Sequence, residues 1–151
     1  LVAQLQGGTA QSKFKAARTL GKLAMNGDKQ VINAAAGAIP PLIALLRDGN
    51  AQVKAKATGA LFYLAANADN IINIAAAGAI PSLIAQLRDG TARGEANAAD
   101  ALYNFAANAD NQVTIAAAGA ISPLIALLRD GTEEGKLFAA GWCVEKSHIK
   151  C

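Results

Sequence analysis

Three rows of polar side chains recur in register through this sequence. Lys15, Arg18, Lys22 and Asn26 form the first, at steps of three, four and four residues. Lys56, Gly59, Tyr63 and Asn67 form the second, and Asn97, Asp100, Asn104 and Asn108 the third. Such steps place each row along one face of a helix. The chemistry on offer is recognition rather than bond making. Cations meet carboxylates, asparagine amides both donate and accept, and a tyrosine ring stacks on a side chain. The plain alternative is that each row is the solvated face of an amphipathic helix. Recurrence of one face, with a charge that changes from row to row, favours binding. Asn67 and Asn108 serve equally well as helix C-caps.

Other constellations fall short of a site. Cys143-x4-His148-x2-Cys151 supplies three zinc-type ligands, and the chain has no further cysteine or histidine. A tetrahedral structural site takes four, so this segment reads as a tail. The serines Ser12, Ser82, Ser122 and Ser147 lack a histidine–acid pair, because the single histidine lies in that tail. No phosphate loop of the Gly-x-x-x-x-Gly-Lys-Ser/Thr type occurs. Neither catalysis, a metal nor a cofactor is expected.

A repeat must hold the rows in register. Ala34-Ala35-Ala36-Gly37-Ala38-Ile39 returns at Ala75 to Ile80 and at Ala116 to Ile121, offset by 41 residues each time. Arg47-Asp48-Gly49, Arg88-Asp89-Gly90 and Arg129-Asp130-Gly131 keep the same offset. Periods of about 20–50 residues mark repeat architectures. Each unit reads as a short helix and two longer ones. Asp28 is placed to cap the short helix, which Gly37 stops. Pro40 and Pro41 suit the first turn of the second helix, with Leu42, Ile43, Leu45 and Leu46 on its core face. Glycine at Gly7 or Gly8 ends the first of the second helices through the left-handed turn it tolerates, and Gly49 closes the next. Thr9, Asn50, Thr91 and Thr132 cap the third helices. The buried stripes there are Ala16, Ala17, Leu20, Leu23 and Ala24; Val53, Ala57, Ala60, Leu61 and Leu64; then Ala98, Ala99, Leu102 and Phe105. In the last second helix Pro123, Leu124, Ile125, Leu127 and Leu128 take the core positions.

The expected architecture is all-α, a stack of three-helix units in which no unit is stable alone. The boundaries are a partial repeat at 1–27, full repeats at 28–68 and 69–109, a partial repeat at 110–140, and an atypical tail at 141–151. The sequence opens on Leu1 rather than Met and partway into a second helix, as an excerpt or processed product does. Leu1, Val2 and Leu5 should then lack a covering helix, an open apolar end able to pair with another copy.

Composition narrows the rest. Only 5% of residues are aromatic while 53% are hydrophobic, so small side chains let helices approach closely. The longest apolar candidate, Ala34 to Leu46, is broken by Gly37, Pro40 and Pro41, too short for a membrane span. Two cysteines in the last nine residues make no disulfide framework. They point to a reducing, intracellular compartment, cytoplasmic or nuclear. The net charge of +3 is too mild to imply nucleic acid. Its distribution says more, since residues 1–49, 50–90 and 91–131 carry +4, +1 and −2.

The motifs resemble the armadillo repeat family. Asn111-Gln112-x-x-Ile115-x-x-Ala118-Gly119-Ala120-Ile121 is similar to its first helix and turn. Pro40-x-Leu42-Ile43-x-x-Leu46 is similar to its second helix, and Ala98-Ala99-x-Ala101-Leu102-x-Asn104-Phe105-Ala106 to its third. Leu87-Arg88-Asp89-Gly90-Thr91-x-Arg93-Gly94 further resembles the armadillo regions of plant-type U-box ubiquitin ligases, though no U-box is present. The resemblance implies a right-handed α-solenoid whose third helices line a concave groove for an extended peptide. It also implies a peptide-bonding asparagine, matched by Asn104. The equivalent slots hold Lys22, Tyr63 and Glu145, and the importin-type tryptophan slots hold Arg18, Gly59, Asp100 and Gly141. The expected groove residues are therefore Lys15, Arg18, Lys22, Asn26, Lys56, Tyr63, Asn67, Asn97, Asp100, Asn104 and Asn108. The expected role is a non-enzymatic scaffold for a protein or peptide partner, without the ladder of a nuclear import receptor. The alternatives are a self-associating array and a substrate-binding fragment of a larger ubiquitin ligase.

Overall fold

Apolar residues three and four apart fold into ten α-helices among the described residues. They are α1 (Val2–Gly7), α2 (Ala10–Ala24), α3 (Ile39–Asp48), α4 (Ala51–Leu64), α5 (Ala68–Ala76), α6 (Ala79–Asp89), α7 (Ala92–Phe105), α8 (Ala109–Ala117), α9 (Ile121–Asp130) and α10 (Glu133–Gly141). A π-helical turn, Trp142–Lys146, continues α10. The computed structural model describes residues 1–28 and 37–146, excepting the side chains of 145 and 146. The short helix expected between Asp28 and Ala36 lies outside those residues, as do the tail residues 147–151. No strand occurs among the described residues.

The helices form two long rows. Third helices pack in the order α2, α4, α7, α10, and second helices in the order α1, α3, α6, α9. The short first helices α5 and α8 meet the second helices that follow them at 84° and 83°. Glycine makes those bends possible. Gly37, Gly78 and Gly119 have φ of +72°, +85° and +83°, a left-handed backbone that side chains disfavour.

The glycines ending the second helices work differently from expectation. Gly8, Gly49, Gly90 and Gly131 have φ between −74° and −77° with extended ψ. They are small because the chain folds back closely, not because φ is positive. A Cβ on Gly49 would stand 2.6 Å from the Leu45 carbonyl oxygen and 3.0 Å from a Val53 methyl.

Capping follows the sequence at the third helices. Thr9 accepts from the Ser12 N–H, Asn50 from Val53, Thr91 from Gly94 and Thr132 from Gly135. At the first helices it does not. Asn67 and Asn108 are N-caps of α5 and α8 rather than C-caps of the helices before them. Asn67 accepts from the Asp69 and Asn70 N–H groups, Asn108 from those of Asp110 and Asn111. Asp69 and Asp110 instead sit in the first turn, where the helix dipole favours a negative charge. Asn70 and Asn111 are buried, and their side chains donate to the Leu64 and Phe105 carbonyls. Each thereby ties a first helix to the end of the preceding third helix.

The core runs unbroken along the stack. Ala17, Leu42, Leu61, Leu64, Leu83, Leu102, Phe105 and Leu124 are completely buried. The ends depart from expectation. Leu5 is only 2% exposed, because α3 packs on α1, so the amino-terminal edge is less bare than its sequence implies. Ile125 is exposed and Leu128 half-buried, because no helix among the described residues covers that side of α9. Trp142 is buried, its indole N–H without a partner among the described residues, and it continues the packed helix into the segment expected as an atypical tail.

Leu61 has no exposed surface and sits midway along the stack. Leu61→Ala is expected to lower unfolding free energy by about 2–5 kcal/mol, a large part of a typical total of about 5–15 kcal/mol. Chemical denaturation followed by circular dichroism checks this.

Candidate functional site

The third helices bury leucine and alanine on one stripe, so their polar rows emerge on the opposite face. None of the eleven expected groove residues is buried. Between α2, α4 and α7 this face encloses a cavity of about 360 Å³. Arg18 and Lys22 reach it from α2, Lys56, Gly59 and Tyr63 from α4, and Asn97 from α7. Five of the expected residues therefore share one space. Lys15 and Asn26 lie exposed beside it, while Asp100 and Asn104 continue the row along α7. Asn67 and Asn108 are held at helix starts by their capping bonds.

The sequence reading missed three lining residues, Phe14, Met25 and Arg93. Arg93 was legible, since it lies four residues before Asn97 on the same helix face. Met25 likewise continues the first row one turn beyond Lys22. Phe14 had no such signal, because it stands one residue off the row. Its ring is exposed to the groove by Lys56, whose Nζ lies 5.5 Å from the ring centroid. Tyr63 packs at a 55° tilt against Phe62, centroids 4.9 Å apart.

The electrostatics change along the groove. Arg18, Lys22, Lys56 and Arg93 line the cavity, and among the described residues no carboxylate does. On α7 the sign turns. Burial pushes the Asp100 carboxyl up to about 7, and the nearby Glu134 charge on α10 adds to the shift. Gly59 on α4 and Gly141 on α10 hold the position of Asp100 in the preceding and following repeats, so the floor is low on both sides. A Cβ at Gly59 would meet only the Asn97 amide nitrogen, at 3.4 Å.

A larger cavity of about 620 Å³ lies elsewhere, between α1, α2, α3 and α4. It is the gap left where Ala10, Ala44 and Gly49 face one another, and Lys13 and Asp48 give it both signs of charge. It touches none of the recurring rows.

The family model for the armadillo/β-catenin-like repeat matches residues 26–66. The designed armadillo repeat protein YIII(Dq)4CqI is similar to the chain with a TM-score of 0.87 and 34% identity, over 93% of this chain and 60% of that one. The chain has the fold of an armadillo repeat array. Its helices form the right-handed α-solenoid of that architecture. Another designed armadillo repeat protein, in complex with the peptide (KR)4, is 31% identical with a TM-score of 0.85, covering 93% of this array and 60% of its own chain. The armadillo-repeats-only protein of Plasmodium falciparum is 25% identical with a TM-score of 0.71, over 80% of this array and 50% of that protein. The array thus spans 50–60% of the length of these three structures. Among curated proteins no sequence match is found. No single helix of the described residues is long and apolar enough to cross a membrane.

The raised pKa of Asp100 has a direction that can be tested. The folded array holds this proton more tightly than an unfolded chain, in which the carboxyl titrates near 3.8. Its contribution to stability is therefore greatest in acid and is lost as pH rises through about 7. Asp100→Asn is expected to stabilise the array at about pH 8 by about 1–2 kcal/mol, below the full value of the shift because solvent screens a half-buried carboxylate. The gain should vanish towards about pH 4. Thermal denaturation of both proteins across that range checks it.

Proposed function

We propose that this armadillo array is a non-enzymatic scaffold that holds an extended peptide against α2, α4 and α7. Acidic side chains of the ligand lie at the α2–α4 end. The observation that carries this reading is the cavity of about 360 Å³ lined by Arg18, Lys22, Lys56 and Arg93, with no carboxylate among the described residues that line it. Clustered cations raise the local concentration of an anionic ligand and set its register. Asn97 and Asn104 present amides that suit an extended backbone, which leaves its N–H and C=O groups unpaired. Tyr63 and Phe14 offer ring faces to the side chains between the acidic ones. Towards α10, Asp100 and Glu134 favour a neutral or basic ligand residue. The ligand then carries its negative charge at one end only.

A relative at 31% identity is in complex with (KR)4, a basic peptide. Four cations facing the cavity support the opposite charge for the ligand at this end of the present array. The same positions argue against nucleic acid, since only Tyr63 and Phe14 interrupt the cations and no long basic stripe follows.

Peptide-array screening followed by fluorescence polarisation tests the reading. Acidic extended peptides are expected to bind and their lysine-substituted counterparts are not. Lys22→Glu combined with Arg93→Glu should weaken binding at least about tenfold, or about 1.4 kcal/mol. Tyr63→Ala and Asn104→Ala should each weaken it several-fold. Unchanged affinity in the double variant would remove the groove assignment.

A further inference from the structure

The cavity between α2, α4 and α7 carries more positive charge than a carboxylate can answer. Arg18 and Lys22 reach it from α2, Lys56 from α4 and Arg93 from α7. None of the four pairs with a described carboxylate, whereas Arg47, Arg129 and Lys136 meet acids at 3.0, 2.8 and 3.4 Å. Like charges around one space of about 360 Å³ repel, and a bound anion relieves that repulsion. A ligand glutamate or aspartate brings a single charge. A phosphate monoester brings about −1.5 to −2 and three acceptor oxygens. Guanidinium forks match those oxygens, and Arg18 and Arg93 supply two of them from opposite sides.

The floor of the same cavity suits a ring. Ala17, Gly59 and Ala60 line it with little or no side chain. A Cβ on Gly59 would meet only the Asn97 amide nitrogen, at 3.4 Å, so the space above Gly59 is open. Phe14 and Tyr63 stand beside that opening. Lys56 Nζ lies 5.5 Å from the Phe14 ring centroid, which puts a ring and a cation in one place. Tyr63 is braced by Phe62, their centroids 4.9 Å apart. An aromatic side chain laid over Gly59 covers apolar surface between the two rings, and a charge at its far end lies among the cations. A phosphoserine or a glutamate reaches the cations but leaves the floor to water.

The repeat does not produce this combination elsewhere. One period further on, Ala55 stands for Phe14, Asp100 for Gly59 and Glu134 for Arg93. The ring is lost, the gap is filled and the sign of the charge is reversed. We propose that the cavity receives a phosphotyrosine side chain, its ring over Gly59 and its phosphate held by Arg18, Lys22 and Arg93. The inference rests on the reading of the groove as a site for an anionic peptide, and it narrows one anionic residue of that peptide to an aryl phosphate.

Fluorescence polarisation with three labelled peptides tests it. The peptides share one extended, glutamate-containing sequence and differ at a central residue, which is phosphotyrosine, phosphoserine or glutamate. The phosphotyrosine peptide is expected to bind at least about tenfold tighter than the other two. Phenyl phosphate is expected to displace it at lower concentration than inorganic phosphate does. Gly59→Leu fills the opening and keeps all four cations, and it is expected to bring the three affinities within about threefold of one another. Arg18→Gln with Arg93→Gln is expected to weaken the phosphotyrosine peptide most. Circular dichroism verifies that both variants stay helical. Equal binding of the three peptides to the wild-type array overturns the phosphotyrosine assignment and leaves the anionic-peptide reading standing. Absence of binding by all three removes both. A Gly59→Leu variant that keeps the full preference overturns the assignment, as does inorganic phosphate that competes as well as phenyl phosphate. An oligouridylate that displaces the probe better than the phosphotyrosine peptide overturns it in favour of nucleic acid.

Discussion

Each apolar stripe in this molecule is buried by helices about one repeat away. Leu20 of α2, Leu61 of α4 and Leu102 of α7 occupy one position in three successive repeats, and the three helices pack side by side. Stability of such a stack is close to a sum of nearest-neighbour terms. An interior helix has a neighbour on both sides and an end helix on one. That difference alone leaves Ile125 open while Ile43 and Ile84 are closed. No special feature of Ile125 is required.

Close packing rests on small side chains. A Cβ on Gly21 of α2 would lie 3.5 Å from the Cα of Ala60 on α4, so the two backbones nearly touch. Ala98, Ala99 and Ala101 are fully buried in α7 and keep its neighbours close on both sides. The consequence reaches the groove. With α7 held tightly between α4 and α10, Asp100 loses part of its solvent and meets Glu134. Its raised pKa is a product of helix spacing, and the groove inherits from the core a carboxyl that titrates near neutrality.

Periodicity made the fold legible because the packing itself is periodic. The offset that repeats Ala-Gly-Ala-Ile also repeats the bends at Gly78 and Gly119 and the caps at Asn50, Thr91 and Thr132. What escaped was chemistry that periodicity does not distinguish. Asn67 stands between two helices, and only geometry shows that its oxygen faces the N–H groups ahead of it. Gly49 ends a helix whether its φ is positive or its surroundings are crowded, and the sequence pattern is the same in both cases. Phe14 enters the groove beside Lys56 although it stands off the polar row, because a large ring reaches across a helix where a short side chain does not. Arg18, Lys22, Lys56, Tyr63 and Asn97 were readable as one open face, since a stripe opposite a buried stripe must face open space, and they line one cavity.

The residues on that open stripe carry little of the packing, and so their identities vary from repeat to repeat while the leucines do not. The charge gradient is free to develop there. Four third helices spaced about 8–10 Å apart separate the two ends by about 25–30 Å, about three times the screening length of about 8 Å at physiological salt. Opposite charges at the two ends therefore do not cancel at a distance. Each end acts on whatever lies next to it, and the cations around the α2–α4–α7 cavity and the carboxylates of Asp100 and Glu134 form two separate environments. Net charge says almost nothing about such a molecule; the order of the charges along the stack decides what it attracts and which way round.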